Sequence, residues 1–183
     1  MRKSDSYSGT DANPLPGDTM PDLFESLSSA ARPYEIAVGR AIEEKIPKLM
    51  YIKDKTSMDY DVFLQNIETG KNLTVEVKVH SGASKYKKYD TACLEILEYQ
   101  YRYNDYVQSH WLTSPFKVMA HVDKADGMIH FYKGAEIRQW ALARKHTARY
   151  SKRVKTANIT MPWKCLDAGY IYSLELPVIQ LPT

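Results

Sequence analysis

The segment NLTVEVKVH (72–80) alternates strictly between aliphatic and polar side chains. Successive side chains of a β-strand point to opposite faces, so this segment predicts a strand with one buried face and one polar face. A second strand-like run, YDVFLQN (60–66), precedes it, and the connecting IETGK has the length and the glycine of a hairpin link. We therefore predict a β-hairpin near the middle of the chain, with its aliphatic side chains facing the core.

The other patterns predict a mixture of helices and strands around this hairpin. Residues 1–20 are rich in Ser, Asp, Gly and Pro, which predicts a disordered tail, and residues 21–183 have the length of a single domain. Helical periodicity and flanking prolines predict three helices, over 21–31, 33–46 and 135–146. Alternating apolar runs predict further strands, over 116–123, 128–133 and 170–177, and residues 91–99 form either a strand or the start of a helix, with the strand favoured. The expected fold class is α/β, with one mixed β-sheet of four or five strands flanked by helices.

Several functional classes are disfavoured by what the sequence lacks. The two cysteines, Cys93 and Cys165, form neither a CxxC pair nor a zinc-binding spacing, and they favour a reducing compartment. No stretch approaches the roughly 18 apolar residues of a membrane span, and the start resembles no signal peptide. A cytoplasmic protein with no membrane partner is therefore predicted. Neither a phosphate-binding P-loop nor a GxSxG nucleophile motif is present.

Positive charge is concentrated in one part of the chain. The formal net charge is only +3, but no Asp or Glu occurs from residue 138 to 155, where Lys and Arg are frequent. Such a run can neutralise several phosphates, although a solvated helix face and loop would look the same. With the lysines of the polar segment 81–90, the residues predicted to bind nucleic acid are Lys85, Lys87, Lys88, Arg144, Lys145, Arg149, Lys152 and Arg153.

Two carboxylates and a lysine are expected to meet on the polar face of the hairpin. Folding about the turn places Asp61 opposite Glu76 or Val77, on the same face as Glu76 and Lys78. Carboxylates about 4 Å apart repel by roughly 4 kcal/mol at an effective dielectric near 20. A divalent cation such as Mg²⁺ removes that repulsion, and a lysine beside it can position or deprotonate a water molecule, or stabilise developing charge. The alternative is an ordinary Glu–Lys pair on an exposed hairpin.

Two neighbouring residues receive a simpler interpretation. Asp59 shares the face of Asp61 but lies beyond Glu76, so Asp61 is favoured as the site carboxylate. His80 continues the face of Glu76 and Lys78, and we interpret it as an exposed histidine at a strand end. A second ExK sequence, Glu43-Glu44-Lys45, falls inside a predicted helix, where its geometry does not suit a metal site.

The spacing of Asp61 and Glu76-Val77-Lys78 resembles the PD-(D/E)xK nuclease superfamily, and the later pattern is similar to its small phage-type members. The resemblance implies a restriction-endonuclease-like fold and hydrolysis of phosphodiester bonds, in endo or exo mode and with DNA as the expected substrate. It implies Mg²⁺ as cofactor, with Mn²⁺ able to substitute. Asp61, Glu76 and the Val77 carbonyl would be its ligands, and Lys78 would orient the nucleophilic water.

The same resemblance implies further residues and partners. The helix before the hairpin often contributes a catalytic glutamate, for which Glu35 is the candidate, and Glu95 matches a glutamate that supports the site in small members. A homodimer is implied for members that cut both strands, and the host cytoplasm is the implied location if a phage encodes the chain. Three alternatives stay open: an RNA-cleaving nuclease, a non-catalytic nucleic-acid-binding protein on the same scaffold, and a structural or inhibitory protein with no nucleic-acid role.

Overall fold

The structure is a computed structural model that describes residues 20–52, 55, 57, 59–80, 90–100, 104–151 and 155–179. Two compact units divide the chain, residues 1–30 and residues 31–183. In the first unit only the helical residues 20–30 are described. The sheets and the predicted site belong to the second unit. No helix within the described residues is long and apolar enough to cross a membrane.

The described residues contain two α-helices and ten β-strands. The helices are α1 (Met20–Lys45) and α2 (Gly134–Ala143). Short 3₁₀ helices occupy His110–Leu112, Lys145–Thr147 and Leu166–Ala168. The strands are β1 (Leu49–Tyr51), β2 (Val62–Asn66), β3 (Asn72–His80), β4 (Thr91–Gln100), β5 (Asp105–Gln108), β6 (Val118–Asp123), β7 (Met128–Lys133), β8 (Arg149–Ser151), β9 (Thr156–Pro162) and β10 (Tyr170–Glu175).

The main sheet has six strands in the order β1-β2-β3-β6-β7-β10. The predicted hairpin is confirmed: β2 and β3 pair antiparallel, with Val62 opposite Val75 and Leu64 opposite Leu73. Strand β6 then pairs parallel with β3, and the remaining neighbours are antiparallel. The sheet is therefore mixed, as predicted, and β3 lies inside it between β2 and β6.

The prediction of a single sheet is wrong. Four strands form a second sheet in the order β5-β4-β9-β8, and β4 belongs to it rather than to the main sheet. The strand predicted over 91–99 is confirmed as β4, but its partner β9 lies more than fifty residues away in the sequence, with Leu94 opposite Ile159. The sequence pattern did not predict β1, β5 and β8. These strands are three or four residues long, which is too short for a clear alternation of apolar and polar side chains.

The two faces of the main sheet carry two separate cores. On one face, α1 packs against aliphatic side chains of the hairpin, with Val38, Ala41, Ile42, Val62, Leu64, Val75 and Val77 buried together. On the other face, α2 and the second sheet share a core that includes Leu94, Met119, Tyr132, Ile137, Trp140 and Ile159. Alternation along β6 explains the division, because Ala120 and Val122 face α1 whereas Met119 faces α2.

The predicted helix boundaries differ from those in the structure. The helices predicted over 21–31 and 33–46 are one continuous helix that ends at Lys45, with Pro33 inside α1 rather than at its first position. Proline removes one backbone donor from a helix, yet packing of the following turns against the hairpin holds this helix together. The helix predicted over 135–146 ends at Ala143, because Arg144 leaves helical geometry and a 3₁₀ turn follows.

Candidate metal and nucleic-acid site

The structure brings Asp61, Glu76 and Lys78 together at the end of the hairpin. Asp61 directly precedes β2, and its N–H donates to the Val75 carbonyl at 3.0 Å. Its carboxylate Oδ2 accepts a hydrogen bond of 2.7 Å from the N–H of Val77. On the same strand, Lys78 Nζ lies 2.7 Å from Glu76 Oε1. The three side chains predicted to form the site thus share one short stretch of the β2–β3 pair.

Burial and charge act strongly on Asp61. Burial, followed by the neighbouring carboxylate of Glu76, raises the pKa of Asp61 to about 6. The hydrogen bond from Val77 and the positive charges of Lys78 and Arg32 act in the opposite direction and only partly compensate. A buried carboxyl group beside a second carboxyl group is stabilised by binding either a proton or a cation. Asp61 and Glu76 are such a pair, and binding of a proton or a cation between them would stabilise the folded protein.

Lys78 is surrounded by acidic groups. Burial acts to lower the pKa of Lys78, but the carboxylates of Glu76, Asp61 and Glu95 raise it, and the net direction is upward. The lysine is therefore an ammonium group at neutral pH. In that form it donates hydrogen bonds and stabilises negative charge, and it does not accept a proton.

Glu35 of α1 lies close enough to Asp61 to affect its own ionisation. Burial raises the pKa of Glu35, a hydrogen bond from Arg32 lowers it, and the charge of Asp61 raises it further. Arg32 Nη1 lies 2.9 Å from Glu35 Oε2. The helix thus contributes a carboxylate beside Asp61, together with an arginine that sequence patterns do not single out.

Glu95 lies on the second sheet and faces the same region. It lines a pocket of about 220 Å³ together with Lys78, His80, Cys93, Trp111 and Asn158. Ser109 donates its hydroxyl proton to Glu95 Oε1 at 2.6 Å, and the Trp111 indole N–H donates to the Glu95 carbonyl at 2.7 Å. The carboxylate is therefore held in place at the edge of the pocket. No sequence pattern points to Ser109, which directly follows β5, because its partner Glu95 lies on β4.

The interpretation of His80 as an exposed strand-end histidine is wrong. The side chain is only partly exposed, and its Nε2 lies 2.7 Å from Nδ1 of His121, which is fully buried. The parallel pairing of β3 with β6 places the two rings side by side. Sequence alternation alone could have put His121 and Asp123 on one face of β6. It could not show that β6 lies beside β3.

Asp59, the alternative to Asp61, lies outside this cluster. Its carboxylate is 4.0 Å from His110 Nε2, its side chain is 51% exposed, and its N–H donates to the Ser57 hydroxyl. It is also absent from the groups that shift the pKa of Asp61. Of the two aspartates, Asp61 alone is placed against Glu76 and Lys78.

The predicted basic residues divide into three groups. Lys145 and Arg149 are exposed. Arg144 stacks on Trp140, with its guanidinium carbon 4.4 Å from the ring centre. The remaining candidates lie outside the described residues: Lys85, Lys87, Lys88, Lys152 and Arg153.

The donor atoms of the site suit a hard divalent cation. Asp61, Glu76 and Glu35 offer carboxylate oxygens, which together with backbone carbonyls and water are the ligands that Mg²⁺ prefers. Glu76 is only 8% exposed, so its charge needs compensation, and Lys78 supplies it in this structure. Within the described part of the chain, no three His, Cys, Asp or Glu side chains are already arranged around a common metal position.

No protein-family model, curated protein or solved structure matches this chain. The function is therefore inferred from the contacts of Asp61, Glu76 and Lys78.

Proposed function

We propose that this protein is a Mg²⁺-dependent nuclease of the PD-(D/E)xK type that hydrolyses phosphodiester bonds, with DNA as the expected substrate. One observation carries the proposal. The aspartate and the ExK glutamate and lysine, selected from sequence spacing alone, lie within hydrogen-bond or charge range of one another on adjacent strands. Two further carboxylates interact electrostatically with these side chains, Glu35 with Asp61 and Glu95 with Lys78.

Each residue has a defined role in the proposed reaction. Asp61 and Glu76, with the Val77 carbonyl, would hold one or two Mg²⁺ ions, and Glu35 would complete the acidic group. Bound Mg²⁺ would supply Lewis-acid stabilisation of the charge that develops on phosphate. The Lys78 ammonium would donate to the attacking water and stabilise the same charge. Ser109 would hold Glu95 at the edge of the pocket.

Exposed positive charge supports a polyanionic substrate. Lys145 and Arg149 are exposed and able to contact phosphates, which fix the position of a nucleic acid without reading its sequence. RNA presents the same phosphates, so DNA and RNA must be separated by experiment. The homodimer implied by the family resemblance also stays a prediction.

A second function is supported by one feature of the structure. The ion pair between Lys78 and Glu76 satisfies both groups without any metal. In a non-catalytic nucleic-acid-binding protein, this pair would serve only to hold the hairpin. Such a protein would bind DNA or RNA in a salt-dependent way but would cleave neither.

A direct cleavage assay separates these functions. The purified protein is incubated with plasmid, branched DNA, single-stranded DNA and RNA, each in Mg²⁺, Mn²⁺ or EDTA. We expect cleavage of at least one substrate in Mg²⁺ and Mn²⁺, and none in EDTA. Cleavage in EDTA would contradict the metal-dependent mechanism. Binding without cleavage in every metal condition would favour the non-catalytic function.

A further inference from the structure

His80 and His121 lie side by side, with nearly parallel ring planes, on the face of the main sheet that carries Glu76 and Lys78. Their ring centres are 4.9 Å apart, their planes differ by 13°, and Nε2 of His80 lies 2.7 Å from Nδ1 of His121. Two ring nitrogens at this distance share a single proton. If the proton is bonded to Nε2 of His80, Nδ1 of a neutral His80 is a hydrogen-bond acceptor, and if it is bonded to His121, Nδ1 of His80 is a donor.

The contact of His121 with Met119 determines which ring nitrogen is bonded to the shared proton. Nε2 of His121 lies 2.9 Å from Met119 Sδ, in a fully buried environment. A thioether sulfur can accept a hydrogen bond but has no proton to donate, so Nε2 of His121 carries a hydrogen. A neutral imidazole carries only one, which leaves Nδ1 of His121 as an acceptor. The shared proton therefore belongs to Nε2 of His80.

Both rings stay neutral under ordinary conditions. Burial, followed by the charge of Lys78, lowers the pKa of His80 to about 4, against a smaller opposing effect of the Asp123 carboxylate. Burial likewise lowers the pKa of His121. A neutral His80 that donates through Nε2 keeps an unshared electron pair on Nδ1. Among the described residues, its hydrogen bond to His121 occupies only Nε2.

We propose that Nδ1 of His80 orients the attacking water of the hydrolysis by accepting a hydrogen bond from it. His80 and Lys78 lie on the same face of β3 and line the same pocket of about 220 Å³, which is large enough for several water molecules. The Lys78 ammonium can only donate, so a fixed water orientation requires an acceptor beside it. Glu95 is a second acceptor in the pocket, and its Oε1 receives the Ser109 hydroxyl.

His121 and Met119 are positioning residues in this arrangement. They do not contact the water, but they fix the tautomer that leaves Nδ1 of His80 available. The inference depends on the proposed nuclease function, because it assigns an acceptor to the water of that reaction. The tautomer itself is a property of the free protein and is measured without substrate.

Two amide substitutions at position 80 separate the proposed role from simple packing. In His80→Asn the amide oxygen can occupy the place of Nδ1, whereas in His80→Gln the amide reaches the place of Nε2 and can still donate to His121. We expect His80→Gln to lower kcat by about tenfold, the effect of one lost neutral hydrogen bond, and His80→Asn to stay closer to wild type. A residue needed only for its contact with His121 would give the opposite order.

Nitrogen-15 NMR of the imidazole rings tests the tautomer directly. The His80 signals are identified by their loss in His80→Gln, and we expect a protonated Nε2 and an unprotonated Nδ1. Met119→Leu keeps the volume of the side chain but removes the sulfur acceptor, so it should allow the other tautomer and reduce kcat. Melting curves of all variants show whether each one is folded.

The outcomes separate a failure of the His80 role from a failure of the nuclease function. A protonated Nδ1 of His80 in the wild type overturns the water-orienting role, whether or not the protein cleaves nucleic acid. A reversed order of the two amide variants in a protein that cleaves also overturns it, while leaving the nuclease function intact. A wild type that cleaves no nucleic acid contradicts the nuclease function, and the role of His80 falls with it.

Discussion

The carboxylate of Asp61 accepts a hydrogen bond of 2.7 Å from the backbone N–H of Val77 in the neighbouring strand. Strand β2 begins only at Val62, so the Val77 N–H lies beyond the end of that strand, and the Asp61 side chain takes the place of a backbone acceptor. The bond fixes one carboxylate oxygen against β3. It also places the charge of Asp61 beside Glu76, and this carboxylate raises the pKa of Asp61.

The three central residues should be essential for cleavage. Asp61→Asn, Glu76→Gln and Lys78→Met should each reduce turnover by at least about a hundredfold, whereas nucleic-acid binding should survive, because each change removes charge stabilisation from the reaction. Turnover and binding are measured separately, by product formation and by fluorescence anisotropy. The matched controls lie in the second ExK sequence of helix α1.

These controls are Glu43→Gln and Lys45→Met, at two residues that do not line the pocket. Glu43 accepts a hydrogen bond from the Tyr51 N–H at 3.0 Å, and glutamine keeps an oxygen for that role. Both controls should therefore cleave like the wild type. Near-wild-type turnover in any of the three central variants would remove that residue from the site.

A divalent cation should stabilise the folded protein if the carboxylates bind it. At about 10 mM Mg²⁺ and a Kd near 1 mM, the free energy of unfolding should rise by roughly 1.4 kcal/mol. This corresponds to an increase in melting temperature of about 3–5 °C for a domain of this size. Asp61→Asn should gain much less, because it removes one of the ligands.

Melting curves in Mg²⁺, Mn²⁺ and EDTA measure this effect without a substrate. Equal shifts in wild type and Asp61→Asn would place the binding elsewhere. If the wild type shows no shift, the experiment is repeated with a short uncleavable duplex, since the cation could bind together with nucleic acid. No shift in that condition would favour the non-catalytic function.

The stability of the metal-free protein should depend on pH through Asp61. The pKa of this carboxyl group is raised from 3.8 to about 6 in the folded protein, so the folded state binds its proton more tightly than the unfolded state. Its contribution to stability is therefore present below the unfolded pKa and is lost as pH rises through the folded pKa. The loss should be on the order of 2–3 kcal/mol.

The difference between wild type and Asp61→Asn isolates this contribution from the other acids. In EDTA, urea unfolding at about pH 5 and about pH 7.5 should show the wild type losing stability relative to the variant as pH rises. Parallel behaviour of the two proteins would show that the pKa of Asp61 is not raised. Added Mg²⁺ should reduce the difference, since the cation stabilises the ionised form.

The exposed basic residues should control the salt dependence of binding. The double variant Lys145→Ala/Arg149→Ala should bind DNA more weakly and with a flatter dependence of log affinity on log salt, by up to about 0.9 for each phosphate that the variant no longer neutralises. Lys48→Ala is the matched control, because Lys48 is also exposed but forms an ion pair with Glu68 at the hairpin turn. A slope unchanged in the double variant would identify both residues as ordinary solvated surface.

Local patterns in the sequence were sufficient to predict the hairpin and to identify the polar residues that meet on it. Alternation in 72–80 placed Val75 and Val77 in the core with α1, and the same parity placed Glu76 and Lys78 on the other face. These properties depend on neighbours within about twenty residues, where strand geometry leaves few options. The strands over 91–99, 128–133 and 170–177 were also predicted correctly, for the same reason.

Contacts between distant segments were decided by the tertiary structure. The sequence does not reveal that β4 belongs to a second sheet, where it pairs with β9, or that Ser109 bonds to Glu95 of β4 at the pocket. It does not reveal that β6 lies beside β3, which brings His121 against His80. Pairing of such strands depends on which buried surfaces fit together across the whole domain, and that fit is a property of the packed core rather than of any local pattern.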